Sequence, residues 1–420
     1  MSDEATNPAR TRVLLLLLLA YIFNFLDRQI VSILKIPIKA ELGLTDTQLG
    51  LMGGIAFASV YSTLAIPIAR YADRTGRRAR VIGISAAIWS LFTALSGFVT
   101  NFGQLFAARM GVGVGEAGGV APSYALIAEH VPANRRARAF AIFSLGIPIG
   151  SALGLFFGGW IAEAVNWRTA FVVIGLAGLP VGWLIATRVP ESASGEPRVD
   201  QAQPGFGAIA AQLARLPSFW LLSFGAASAS VAGYGLAFWL PSYFSESLGL
   251  SLGSIGTFFG TIVLIGGIAG IYLGGLVADR LGGARIAAYA ATPAFAFLLT
   301  APMFGAAMAV ESRIVAGLLF TFAYALSLVW LGPIANGVQM LVEPARRATA
   351  SACFLLINNL IGIGFGTFIF GFIADALRPT YGADAMRYSI NYGLGFYAVA
   401  AALCGIAAFT IKRDAYQASA

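Results

Sequence analysis

Four charged residues interrupt otherwise apolar stretches of this chain, and all four lie in its N-terminal half. Asp27 and Arg28 fall within the run from Val13 to Leu34, and Arg109 and Glu116 within the run from Phe102 to Ala128. At the centre of a spanning helix each such charge costs roughly 2.5–3.5 kcal/mol. A chain of 420 residues with only 27 basic and 19 acidic side chains does not place four of them there without use. Two acids and two bases at one depth can neutralise one another, and a proton or an anion can unpair them. That is chemistry suited to coupling one binding event to another.

Helix geometry sorts the four. If the first apolar segment enters from the N-terminal side, Asp27 lies about 21 Å in from Val13 at 1.5 Å per residue. The fourth segment runs the opposite way, so Arg109 and Glu116 occupy its far half and middle, and the two pairs share a depth. Arg109 and Glu116, seven apart, lie on one helix face, whereas Asp27 and Arg28 diverge by about 100° and only one can point squarely into a central cavity. An arginine there is a permanent cation suited to a phosphate or carboxylate. An acid in a dry site keeps its proton unless a neighbouring arginine opposes it. These rules assign Arg28 and Arg109 to an anionic substrate and Asp27 to the main proton, with Glu116 and Arg109 the paired acid and base that set its affinity. The competing reading is a salt-bridge cluster that merely locks two helices, but buried pairs seldom add net stability over apolar packing.

The elements that position these groups are membrane helices. Hydrophobic residues make up 58% of the chain and charged ones 11%, against roughly 25% charged in soluble domains. A span needs about 20 apolar residues, and hydropathy marks twelve segments: 13–36, 47–68, 79–100, 102–130, 138–163, 168–187, 217–245, 251–277, 285–304, 310–341, 348–374 and 391–411. The fold class is an all-α integral membrane protein with twelve transmembrane helices in two pseudo-symmetric six-helix bundles. The Pro-, Gln- and Ser-rich gap after Arg188 divides it into a first bundle, 1–190, a cytoplasmic linker, 191–216, and a second bundle, 217–420. Nineteen of the 27 lysines and arginines fall at the termini, the even-to-odd loops and this linker. Six lie on the other side (Lys35, Lys39, Arg168, Arg313, Arg378, Arg387) and two at depth. The positive-inside rule then puts both termini in the cytoplasm, and the run of leucines after Arg12 reads as an uncleaved first span.

The halves repeat. Leu42–Gly50 matches Leu248–Gly256, and Ala72-Asp-Arg-Thr-Gly76 matches Ala278-Asp-Arg-Leu-Gly282, both offset by 206; Pro132-Ala-Asn-Arg-Arg-Ala137 echoes Pro344-Ala-Arg-Arg-Ala348. Parallel repeats of this kind mark transporters that rock two halves around a midplane site.

The loop Ala69-Arg-Tyr-Ala-Asp73-Arg-Thr-Gly76-Arg77-Arg78 resembles the signature loop of the major facilitator superfamily, with Ala69 where that family has glycine. Its second copy, Gly275-Leu-Val-Ala-Asp279-Arg280-Leu-Gly282, lacks the trailing arginine pair. The resemblance implies a cytoplasmic gate built on Asp73, Arg77, Glu129, Arg138, Asp279 and Arg280, joined by Arg188 and Glu191. A narrower resemblance covers the first five segments. Leu26-Asp27-Arg28, Arg109-x-Gly-Val-Gly-Val-Gly115-Glu116-Ala117 with Ala121-Pro122, and Ile147-Pro148-Ile-Gly150-Ser-x-Leu-Gly154 are similar to the Spinster family. That likeness implies flux of lysophospholipids or sphingosine phosphate, with proton coupling proposed.

Other readings fall away. No strand precedes the glycines at 111–119, so a dinucleotide loop is excluded, and no P-loop for ATP occurs. The glycines at 146, 150, 154 and 158 form a packing stripe. His130, the sole histidine, sits at the cytoplasmic end of the fourth segment as an interfacial group. Cys353 and Cys404 read as buried thiols. The basic residues form no stripe with interleaved aromatics, so nucleic acid is not a partner. No nucleophile, base or metal cluster accompanies the four charges, so an intramembrane enzyme is not expected, nor a cofactor or metal.

The second half offers no charge at depth; its candidate substrate contacts are Tyr234, Trp239, Trp330 and Asn358. Charges on one wall and aromatic groups on the other suit an amphipath with an anionic head. The expectation is a proton-coupled, monomeric secondary transporter of the inner membrane that works by alternating access, with the substrate, protons and membrane lipids as its partners. A symporter of small organic or aromatic acids is the alternative, and a non-transporting receptor ranks below it.

Overall fold

A computed structural model describes residues 8–132, 135–191, 206–282, 285–343 and 346–416. The described residues are helical and contain no strand. Ten stretches among them are long and apolar enough to cross a membrane. One of these, Thr349–Asp414, holds two long helices in succession, and the broken fourth segment is divided between two shorter ones. The twelve expected segments are thereby accounted for. Large apolar side chains such as Phe98, Trp183, Tyr272, Phe295, Ile314 and Phe409 are exposed, as lipid-facing residues must be.

The chain forms two compact units, residues 1–199 with 241–260, and residues 200–240 with 261–420. The helices of the first half are α1 (Pro8–Leu42), α2 (Asp46–Gly53), α3 (Ile55–Thr75), α4 (Arg78–Ser96), α5 (Phe102–Glu116), α6 (Val120–His130), α7 (Arg136–Ser144), α8 (Gly146–Ala164) and α9 (Trp167–Arg188). Those of the second are α10 (Phe206–Ala214), α11 (Pro217–Glu246), α12 (Leu252–Gly282), α13 (Ala288–Ala309), α14 (Arg313–Leu328), α15 (Leu331–Met340), α16 (Arg347–Tyr381), α17 (Ala385–Gly393) and α18 (Gly395–Asp414). Residues 192–205 of the expected linker lie outside the described residues. The rest of it is not irregular: α10 buries Ile209 and Leu213, and its Gln212 accepts a hydrogen bond from Arg346 at 2.6 Å.

The sequence repeat reappears in the backbone. Gly43 and Gly249, 206 apart, end α1 and α11 with the same left-handed φ of +62°, a conformation that glycine adopts at no steric cost. After the first of them, Thr45 and Gln48 form a capping box that starts α2, satisfying two backbone donors reciprocally.

The glycine stripe of α8 sets the position of α1. A Cβ built on Gly150 would lie 2.2 Å from the Ile22 carbonyl oxygen, and one on Gly154 2.5 Å from that of Leu26. Small residues are what allow two backbones to come this close in lipid. At one end of the unit the contact is sealed by an apolar plug that includes Leu17, Ile82, Leu126, Phe143 and Ile185. The helix bearing Asp27 and Arg28 is thus fixed by backbone contact, not by the charges themselves. Gly154→Val should force α1 and α8 apart and cost about 1–3 kcal/mol, the usual penalty of overpacking. A thermal-unfolding assay should show a lowered melting temperature; an unchanged one would contradict this packing.

Candidate substrate and coupling site

The four charges converge within the first unit, but in a pairing that differs from the expected one. Arg28 Nε donates to Glu116 Oε2 at 2.5 Å. Asp27 instead accepts a hydrogen bond from the Thr93 hydroxyl of α4. Arg109 lies near enough to both acids to interact with each electrostatically. Its Nε and Nη1 have no hydrogen-bond partner among the described residues. The expected Arg109–Glu116 pair does not form, and geometry explains why: seven residues on one helix separate them by about 10 Å along the axis. Glu116 therefore takes its partner from the facing helix.

Burial separates the roles further. Glu116 is wholly inaccessible, and Asp27 and Arg109 are each 3% exposed, whereas the Arg28 side chain retains 16% exposure. Of the two adjacent charges on α1, Arg28 is the one that reaches accessible space. Its guanidinium carbon lies 5.2 Å from the Phe25 ring centroid, 4.6 Å from that of Phe57 and 5.0 Å from that of Tyr61. Each such cation–π contact contributes about 0.5–2 kcal/mol, more as water is excluded. The cation is held by three rings and one carboxylate.

A break in the chain places Glu116. It is the last residue of α5, and residues 117–119 form a turn before α6 begins. Gly118 sits there because a Cβ would lie 2.1 Å from the Ser85 hydroxyl. The buried Asn24, one helical turn before Arg28, lies near Glu116, but neither its Nδ2 nor its Oδ1 has a hydrogen-bond partner among the described residues. Asn24, Thr93 and the aromatic box of Phe25, Phe57 and Tyr61 were not singled out from sequence. Asn24 could have been, as a polar residue on the Arg28 face of an apolar run. Thr93 gives no such signal, because isolated threonines are common in membrane helices.

The loop cluster between α3 and α4 centres on Arg78, one residue beyond the expected Arg77. Arg78 donates to Asp73 at 2.7 and 2.9 Å and also pairs with Glu129 of α6. Arg77 is exposed, and its backbone N–H contacts the Thr75 hydroxyl. Glu191 accepts from the backbone N–H groups of Ala79 and Arg80 at 2.9 and 3.0 Å, a favourable place for a carboxylate at a helix N-terminus. Arg138 and Arg280 are exposed, and the side chain of Asp279 lies outside the described residues. His130 Nδ1 lies 2.9 Å from the Leu126 carbonyl, a local contact at the end of α6.

In the second unit, Asn358 accepts from the Ser230 hydroxyl at 2.8 Å, and Trp330 stands at the break between α14 and α15. Tyr234 is half-buried. Trp239 departs from its expected role. It is wholly buried, and its Nε1 donates to the Thr367 carbonyl at 2.7 Å, so it ties α11 to α16 as a packing residue. No group of His, Cys, Asp and Glu able to hold a metal occurs among the described residues.

Such a bundle, with paired charges at depth and a duplicated architecture, defines a secondary transporter. Residues 17–367 match the model of the Major Facilitator Superfamily, and the chain belongs to that superfamily. It is 33% identical over 397 residues, 93% of this chain and 91% of the relative, to an MFS-type efflux pump of Mycolicibacterium smegmatis. It is also 31% identical to protein spinster homolog 1 of Mus musculus, over 88% of this chain and 74% of that one. The crystal structure of a bacterial homolog of the human lysosomal transporter Spinster, inward-facing and unoccupied, superposes with a TM-score of 0.86 at 28% identity, covering 99% of this chain and 100% of that one. The chain is a transporter of the Spinster type and not an enzyme.

The loop geometry separates two adjacent arginines. Arg78→Ala should remove the shared partner of Asp73 and Glu129 and lower transport at least about tenfold, whereas Arg77→Ala should stay within about 0.5 kcal/mol of the parent in stability, as exposed substitutions do. Uptake and thermal unfolding of the two variants check this; equal defects would contradict it.

Proposed function

We propose that the protein carries an amphipathic anion of the lysophospholipid class, coupled to protons, by alternating access across the inner membrane of a bacterium. Both termini are cytoplasmic in this reading, and a single chain suffices. The observation that supports it best is the state of Arg28. A partly exposed guanidinium, boxed by three rings and neutralised by one buried carboxylate, is an exchangeable anion site. The rings suit the apolar part of the same ligand. The aromatic and amide groups of the second unit, Tyr234, Trp330 and Asn358, are the remaining candidate contacts. Trp239 is left out because it serves the core.

Coupling follows from the pairing. When an anionic head draws Arg28 away, Glu116 is left in an apolar wall without its counter-charge and takes up a proton. Substrate and proton then bind together, and each raises the affinity for the other. Asp27, fastened to Thr93 and beside Arg109, is a second proton site on the same network. In this reading the primary linkage is assigned to Glu116 and not to Asp27, the acceptor expected from sequence.

Thermal-shift and binding measurements with lysophospholipids and with small organic or aromatic acids test the substrate class. Lysophospholipid should stabilise the parent protein, and its affinity should rise as pH falls. Arg28→Ala should abolish binding at every pH. Glu116→Gln should still bind but lose both the pH dependence and accumulation against a gradient, whereas Asp27→Asn should retain part of each. Stabilisation by organic acids alone would overturn the lipid reading, and binding by Arg28→Ala would overturn the site.

A further inference from the structure

A second charged cluster lies at the end of α1 remote from the N-terminus. Lys35, grouped by sequence with the loop charges, is wholly buried. It lies seven residues beyond Arg28 on the same helix face, and its Nζ donates to the Ser32 carbonyl at 2.7 Å. One turn further, Lys39 pairs with Asp46 at 2.5 Å, and Asp46 is itself 1% exposed. The charges acting on Lys35 are Asp46 of α2 and Glu246 of α11, with Lys39 opposing them. Lys35, Lys39 and Glu246 border a cavity of about 380 Å³ whose wall includes Ser242 and Ser245.

Glu246 belongs to a segment with an unusual allegiance. Residues 241–260 join α11 to α12, within the half of the chain that repeats the first, yet they pack as part of the first unit. Glu163 of α8 accepts a hydrogen bond from the Gly253 backbone N–H. Trp160 Nε1 donates to the Thr257 hydroxyl at 3.1 Å. A Cβ on Gly159 would lie 2.4 Å from the Leu252 carbonyl oxygen, and one on Gly256 2.5 Å from that of Leu155. The backbones of α8 and α12 therefore touch. Two bases and one acid line the cavity and Asp46 pairs with Lys39 beside it, so withdrawing the segment would take Glu246 from a buried ammonium and leave the remaining charges unbalanced. Uncompensated buried charge is costly, so parting this contact carries a penalty.

We propose that Lys35 is the charged pin of a latch that holds the 241–260 hairpin on the first unit, and that this latch releases when the transporter opens at that end. The proposal rests on the alternating-access part of the reading above, and on neither its substrate nor its coupling acid.

The test uses purified full-length protein with Cys353 and Cys404 replaced by alanine and Ser242→Cys as reporter, modified by a charged, water-soluble maleimide. Ser242 is 5% exposed, so the parent should react slowly. Lys35→Met and Glu246→Gln should each accelerate labelling about tenfold by shifting the population toward the open latch. Glu246 is on the exposed rim, so its variant is informative even if Lys35→Met fails to fold. The exchange Lys35→Glu with Glu246→Lys should restore the slow rate. Parent-like labelling in Glu246→Gln, or fast labelling in the exchanged pair, would overturn the latch. Lysophospholipid binding, measured separately, would stand or fall independently.

Discussion

The ion pair between Arg28 and Glu116 is the interaction on which the candidate site of the first unit depends. Removing one partner of such a buried pair costs about 3–5 kcal/mol, because the other is left uncompensated. The surrounding structure holds the pair without sealing it, and leaves Glu116 Oε1 without a hydrogen-bond partner among the described residues. Phe25, Phe57 and Tyr61 hold the cation by ring contacts that a ligand need not break. The turn at 117–119 ends α5 where the acid is required. The glycine stripe of α8 supplies the rigidity, since it fixes α1 by backbone contact. The arginine can therefore change partner while its helix stays in place.

The same separation of fixed scaffold from exchangeable charge recurs elsewhere. At one end of the first unit, Arg78 gathers Asp73 and Glu129. At the other, Lys39 holds Asp46 while Arg168 binds Glu41 at 2.6 Å and the Val99 carbonyl at 2.6 Å. The more exposed of these pairs, such as Arg168–Glu41, contribute little to stability singly, about 0–1 kcal/mol, whereas Asp46 is buried. Their value in a transporter lies in being made and broken at small cost.

Much of the architecture was legible in the sequence, because a spanning helix announces itself by length and apolar composition. The segment positions, the repeat at 42–50 and 248–256, the packing role of Gly150 and Gly154, and the family were all readable. The membership of the charge cluster was readable too, since Asp27, Arg28, Arg109 and Glu116 stand out against apolar neighbours. Their pairing was not. Spacing along one helix relates Arg109 to Glu116, but partners are chosen across helices, and hydropathy carries no register between them. Thr93 and the aromatic box were hidden for the same reason. The burial of Lys35 was not readable, because hydropathy assigned it only to a side of the membrane, while α1 runs on to Leu42 and the side chain is wholly buried. Trp239 looked like a cavity residue only because aromatic side chains serve packing and binding alike.

The central claim is that substrate and proton meet through one exchange of partners at Arg28. Counting protons on binding tests it most directly: lysophospholipid is added to purified protein in weakly buffered solution, and pH is followed with an indicator. The account predicts uptake of about one proton per ligand bound, by linkage, and none in Glu116→Gln that still binds. Binding by the parent protein without proton uptake would contradict it.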